Sequence, residues 1–229
     1  MADIHLHMLP PSVNNLTVRV FLRASGLDFD EENAWGKTRS DAFMAKIPAH
    51  LTPAIEVDSH PRGAMWESCA IMMYLANKHG LDGLYPSNPE KRALVDNANF
   101  YLTGTLYPLV SRSTYPRLSF PCYPGEVAAS AASDDLKAAA RKDSEDAIAE
   151  PLEVFRKYFV RDGFIGDGEG PTIADIRLAC TLEFIAMNDT PLPKWAQDYC
   201  KRVEAALGAA YSEPAGDVRG FLAQLRDAS

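Results

Sequence analysis

Ser12, Asn14 and Asn15 sit together just after Pro10-Pro11 and just ahead of the run that carries Leu16, Val20, Phe21 and Ala24. A serine placed where an extended segment gives way to a helix has two uses. Its hydroxyl can cap the helix by accepting a backbone N–H. Alternatively, it can join the unpaired donors of the first turn and converge on one anionic atom. Asn14 and Asn15 offer further side-chain donors in the same turn. Glu67 and Ser68 open a later helix, where an acid complements the helix dipole or pairs an ammonium, and where the Ser68 amide and hydroxyl can receive a carboxylate. Further on, Tyr101, Tyr107 and Tyr115 supply rings with polar tips, and with Thr105, Arg112 and Phe120 they are suited either to core packing or to the wall of a pocket. Arg112 follows an uncharged stretch, residues 97–111, so it either pairs with an acid or faces an anionic substrate.

Elements must hold those residues in place. Residues 4–8 read as a strand ended by Pro10-Pro11, and residues 13–25 as a helix stopped by Gly26. A second extended piece covers residues 28–34 and a short helix residues 40–46. Residues 53–57 and 64–66 form a hairpin across the turn at 58–63. A helix over 67–79 follows, with Ile71, Tyr74, Leu75 and Lys78 in register and Gly80 as its cap. The order is βαβ, then ββα. From Pro89 onward strand signals nearly vanish. Helical patterns cover 90–113 and 128–160, separated by a loop at 115–125, and Thr172-Ile173-Ala174-Asp175 carries the [ST]-x-x-[DE] capping box of another helix. Two more helices are expected over 194–207 and 217–226, and a domain boundary near residues 84–89.

Bulk properties narrow the function. A formal charge of −8 opposes electrostatic tracking along nucleic acid or an anionic membrane. The cysteines, Cys69, Cys122, Cys180 and Cys200, show no CxxC spacing, which argues against a zinc site and a disulfide framework and reads as reduced intracellular thiols. His5, His7, His60 and His79 lack metal-ligand spacing; His5 and His7 share one strand face and read as packed or edge residues. No metal is expected. No signal sequence or transmembrane span is expected, which places the protein in the cytoplasm.

Three segments together resemble the glutathione transferase family. They are Pro10-Pro11-Ser12-Val13-Asn14-Asn15 leading into Val18 to Leu22; Ile47-Pro48-Ala49-His50-Leu51-Thr52-Pro53-Ala54 followed by Trp66-Glu67-Ser68-Cys69-Ala70-Ile71; and Phe164-Ile165-Gly166 with Pro171-Thr172-Ile173-Ala174-Asp175. The resemblance is to serine- or asparagine-turn members of the theta- and nu-like bacterial kind. It implies an α/β plus all-α fold, with a thioredoxin-like domain over residues 1–84 and an all-helical substrate domain over 85–229.

The resemblance also implies a glutathione transferase activity, in which glutathione is the co-substrate and its thiol attacks a small apolar electrophile. The alternatives are a glutathione-dependent lyase, dehalogenase or isomerase, and a non-catalytic ligand-binding relative. Ser12 takes the position of the thiolate-stabilising hydroxyl, with Asn14 as the second candidate. Asn15, Lys37, Arg39, His50, Leu51, Thr52, Pro53, Glu67 and Ser68 take positions that bind glutathione, and the Thr52-Pro53 bond is expected to be cis. Pro11, Tyr101, Thr105, Tyr107, Arg112 and Tyr115 would line the electrophile pocket. Cys69 is expected to point into packing. A homodimer is expected, with Met72, Met73 and Tyr74 suited to its interface. The absence of cysteine from the first turn disfavours mixed-disulfide chemistry.

Overall fold

The computed structural model describes residues 3–118 and 133–227; Phe120 and Cys122 lie outside them. Four strands, β1 (His5–Met8), β2 (Asp30–Asn33), β3 (Ala54–Glu56) and β4 (Ala64–Trp66), form one sheet in the order β2-β1-β3-β4. The β1–β2 pair is parallel, and the β1–β3 and β3–β4 pairs are antiparallel. This is the thioredoxin-like arrangement, followed by an all-helical part.

Alternation along β1 sends Leu6 and Met8 to the face covered by α1 (Val13–Ser25) and α3 (Ser68–His79), and His5 and His7 to the face covered by α2 (Asp41–Lys46). The first face belongs to the main core, which runs without a break through Val20 and Phe21 into Val95, Ile173 and Leu178. The second is a small cluster of Ala34, Phe43, Ile47, Ala54 and Ala64. Gly26 and Gly80 end α1 and α3 at φ 68° and 62°, values that a side chain would oppose.

The helical part comprises α4 (Pro89–Tyr101), α5 (Tyr107–Thr114), α6 (Asp134–Ala147), α7 (Ala149–Val154), α8 (Ile173–Ile185), α9 (Lys194–Leu207) and α10 (Ala209–Asp227). Two expected continuous helices are interrupted. The 90–113 pattern becomes α4 and α5 joined by a wider π-type segment, Leu102–Leu106, and the stretch that ends near residue 160 divides after Ala147 and finishes in a second wide segment, Phe155–Val160. Tyr115–Leu118, expected as loop, is a 3-10 turn.

The last helix starts at Ala209, well before the expected residue 217. Pro214 lacks a donor and argued against helix there. Packing overrides that preference, because Tyr211, Ala215, Val218 and Leu222 recur on one buried face.

α8 lies at the centre. Its capping box is complete, and the Asp175 carboxylate accepts from the Thr172 N–H (2.8 Å), the Thr172 hydroxyl (2.8 Å), the Ile165 N–H (2.9 Å) and the Tyr199 hydroxyl (2.7 Å). α1 packs on both α8 and α10. Arg19, on α1, binds Glu31 of β2 (3.1 Å) and Asp217 of α10 (2.8 Å), so one buried guanidinium ties the sheet to the last helix. Among the described residues, no helix is long and apolar enough to cross a membrane.

Candidate active site

Two helix amino termini, those of α1 and α3, open onto one cavity of about 1090 Å³. Ser12 precedes α1 with extended backbone, yet its side chain makes no cap hydrogen bond. The cap is instead a backbone matter: the Leu16 N–H donates to the Ser12 carbonyl at 2.8 Å. The Ser12 hydroxyl therefore borders the cavity without a partner in the helix it precedes.

On the opposite wall, Glu67 holds φ 72° immediately before α3, in a region where non-glycine residues are rare. His50, with φ 45°, is a second such residue on the same cavity. The Thr52-Pro53 bond is cis, as expected. Thr52, Pro53, Glu67 and Ser68 all line the space, together with the unpaired donors of the first turn of α3. Both helix dipoles thus present their positive ends to it, joined by Arg39, a constellation suited to an anion even in an acidic chain.

The residues picked out from sequence divide clearly. Pro11, Ser12, Asn14, Arg39, His50, Leu51, Thr52, Pro53, Glu67, Ser68, Tyr107 and Tyr115 all line the cavity. Asn15 does not. It is wholly buried behind the wall, where its Nδ2 donates to Thr52 Oγ1 at 3.3 Å and braces the cis-proline segment against α1. Lys37 is exposed and turned to Glu32 at the edge of the sheet. Tyr101 packs against Phe155 and Phe159, because the helix phase before the first wide segment turns it toward the second, Phe155–Val160. Thr105 is exposed, and Arg112 lies half-buried in the last turn of α5, off the cavity wall.

Two other expectations are modified. Cys69 packs against the main core, as expected, but it also lines the cavity, with its thiol 3.8 Å from Asn99 Oδ1 and from Thr103 Oγ1. Met72 is fully buried in the core and cannot serve an outer interface, whereas Met73 borders the cavity.

Several wall residues carry no strong motif. Trp35, Phe100, Phe184 and Phe221 give apolar area, and Asn99 and Arg177 give polarity. Residues 6–87 match the family model for the glutathione S-transferase N-terminal domain. Glutathione S-transferase 1 of Manduca sexta is 27% identical over 186 residues, 80% of this chain and 76% of that protein. A solved Bombyx mori glutathione transferase superposes with TM-score 0.74 at 26% identity over 97% of both chains. A glutathione transferase homologue from Drosophila mojavensis, solved with bound glutathione, gives TM-score 0.73 at 25% identity over 99% of this chain and 98% of that one. The chain thus carries a glutathione S-transferase N-terminal domain and is similar over nearly its whole length to solved glutathione transferases.

In this chain, polar contacts bind the two halves of the cavity together. Asn14 Nδ2 donates to the Tyr107 hydroxyl at 2.5 Å, and Tyr107 and Tyr115 share a hydrogen bond of 2.5 Å. Beneath them Arg177, 2% exposed, stacks its guanidinium 4.8 Å from the Tyr107 ring centre. It donates to Thr181 Oγ1 at 3.2 Å, and its Nε has no partner. Among the described residues no carboxylate pairs with it. The sequence signal was a single cation within the apolar run of α8, which was read only for its capping box. Asn14 Oδ1 and Asn99 Nδ2 are further buried atoms without partners on the same wall.

Proposed function

We propose that this glutathione transferase holds the sulfur of glutathione at Ser12 and presents it to an electrophile lying toward α4, α5 and α8. The observation that carries the reading is that Ser12, whose side chain makes no cap hydrogen bond, lines the space that Glu67, Ser68 and Thr52-Pro53 also border. Glutathione is an anionic tripeptide. Its γ-glutamyl carboxylate suits the free N–H groups and the Ser68 hydroxyl at the start of α3, and its ammonium suits Glu67. Its cysteine backbone lies along Thr52, and its glycine carboxylate reaches Arg39 and His50. The positive end of α1 and the Ser12 hydroxyl favour thiolate over thiol, so the thiol proton goes to solvent and the sulfur bonds to carbon as a leaving group departs with its electron pair, or as a π bond opens and its far atom takes a proton from water. Asn14, engaged with Tyr107, is the second candidate for holding the sulfur.

We place the boundary between the glutathione domain and the electrophile domain at residues 84/85, and we assign the chain to the serine-turn members of the family, working as a homodimer in the cytoplasm. One observation favours a restricted electrophile over a generic apolar one: the buried Arg177, which has no carboxylate partner among the described residues. A cation held out of water is costly without an anion. A lyase, dehalogenase or isomerase substrate with a carboxylate or carbonyl oxygen would satisfy it.

Calorimetric titration with glutathione, followed by ultraviolet difference absorbance on the same sample, tests the reading. Micromolar to millimolar binding with a thiolate signal near neutral pH supports it. Absence of binding by the folded protein overturns it.

A further inference from the structure

The face of the sheet covered by α2 carries a second cluster of ligating groups, away from the cavity. Strand alternation puts His5 and His7 on one side of β1, and the parallel register sets His7 directly beside Glu32 of β2. His5 Nε2 lies 3.5 Å and His7 Nδ1 3.6 Å from the same oxygen, Glu32 Oε2. All three ligand atoms fall within 4.8 Å of one another. Two ligands on one tetrahedral zinc ion, each bonded at about 2.0–2.1 Å, stand about 3.3–3.4 Å apart. Two edges of the triangle therefore already have nearly the separation that the ion demands.

The surroundings prepare the same geometry. The His7 ring spans the sheet, with Nδ1 toward Glu32 and Nε2 only 2.8 Å from Glu56 Oε1 on β3. A carboxylate on one ring nitrogen keeps the proton there and leaves the other nitrogen as a lone-pair donor, which is how ligating histidines are commonly oriented. Glu56 is itself held by Lys46 at 2.7 Å. Lys37 occupies Glu32 through Oε1, which leaves Oε2 to the histidines. His7 is buried and His5 more open, so a fourth ligand position faces water.

We propose that His5, His7 and Glu32 form a zinc-binding site that pins β1 to β2, with Glu56 as the positioning residue for His7. Two imidazoles and one carboxylate suit zinc among the divalent ions. The site is independent of glutathione.

The test is titration of the purified full chain with zinc chloride in the absence of glutathione, by calorimetry, with cobalt(II) absorption as a report of coordination geometry. We expect one equivalent per chain and a melting temperature that rises with zinc concentration. His5→Gln should bind at least about tenfold more weakly and Glu56→Gln about 10- to 100-fold more weakly. Because His5 is partly exposed, His5→Gln should keep the wild-type circular dichroism and glutathione affinity. No zinc uptake by the folded protein overturns the proposal. Uptake of equal affinity in wild type and His5→Gln does so too, since the ion would then sit elsewhere, on thiols for instance.

Discussion

Replacing Ser12 by alanine separates catalysis from folding, because the structure gives its side chain no part in the helix it precedes. Ser40 is the internal control: its Oγ accepts the Phe43 N–H at 3.3 Å and caps α2. Loss of such a cap costs about 0.5–2 kcal/mol. In a chain of this size that lowers the melting temperature of Ser40→Ala by roughly 1–8 °C. Ser12→Ala removes no cap hydrogen bond and should leave the melt within about 1 °C of wild type. Its effect falls on the bound sulfur. A hydrogen bond to a charged group is worth about 1.5–3 kcal/mol. Its loss should raise the pKa of bound glutathione by about one to two and slow turnover near neutral pH roughly 10- to 150-fold, with glutathione affinity largely kept. The assay pairs a thiolate absorbance titration against pH with turnover of a small electrophile and a thermal melt. Turnover within about twofold of wild type refutes the assignment and moves it to Asn14. A melt that falls as far as that of Ser40→Ala refutes the structural half of the argument.

Asp175→Asn should cost about 3–5 kcal/mol, because the amide presents donors to a ring of donors, and a urea melt with an unshifted midpoint would contradict that. Burial alone would raise the Glu31 carboxyl, but the hydrogen bonds from Arg23 and Arg19 and their charges outweigh it and hold the group below its ordinary value. The stability this adds is present above the unfolded carboxylate range and lost as pH falls through the lower folded value. Glu31→Gln should therefore destabilise by about 1–3 kcal/mol at pH 7 and flatten the stability profile below about pH 4.5. Identical acid profiles in the two proteins would exclude this network as the cause. Arg177→Met should leave stability unchanged or higher by about 1–4 kcal/mol. It should lower kcat/KM at least about tenfold for a carboxylated electrophile and less for a neutral one; equal losses on both would remove Arg177 from substrate recognition.

Periodicity made the first half legible. The helix bounds at Val13–Ser25, the cap at Gly26 and the strand at Ala64–Trp66 follow from apolar spacing and glycine placement, which act within a few residues. Part of the cavity wall was also legible, because its residues cluster at segment ends: Ser12, Thr52-Pro53 and Glu67-Ser68. What stayed hidden depends on rotation or long range. Tyr101 and Tyr107 look alike in sequence, yet only Tyr107 meets Asn14, because six residues of helix turn them onto different faces. Arg177 belongs to a helix buried almost all round, where no polar face marks the cavity side. Lys37 went to Glu32 because a nearby acid on the sheet edge outcompetes a distant site. His5 and His7 carried no metal spacing along the chain, since Glu32 joins them only through the parallel register.

The wide segment Leu102–Leu106 acts as a phase shifter. A regular helix turns about 100° per residue, so residues eight apart diverge by about 80°. One extra residue in the spiral makes them neighbours seven apart in effect, diverging by only about 20°. Asn99, beside Cys69, and Tyr107, beside Asn14, thereby share one outlook on the cavity. Deleting exposed Gly104, which touches nothing within 4 Å of where its Cβ would lie, would leave Tyr107 seven places after Asn99 in a regular spiral and keep their divergence near about 20°, whereas a regular helix that kept every residue would swing Tyr107 away by about 100°. The hydrogen bond that links the two halves of the cavity thus hangs on the widened turn that absorbs a surplus residue, and a tidier helix of the same length would be a blinder one.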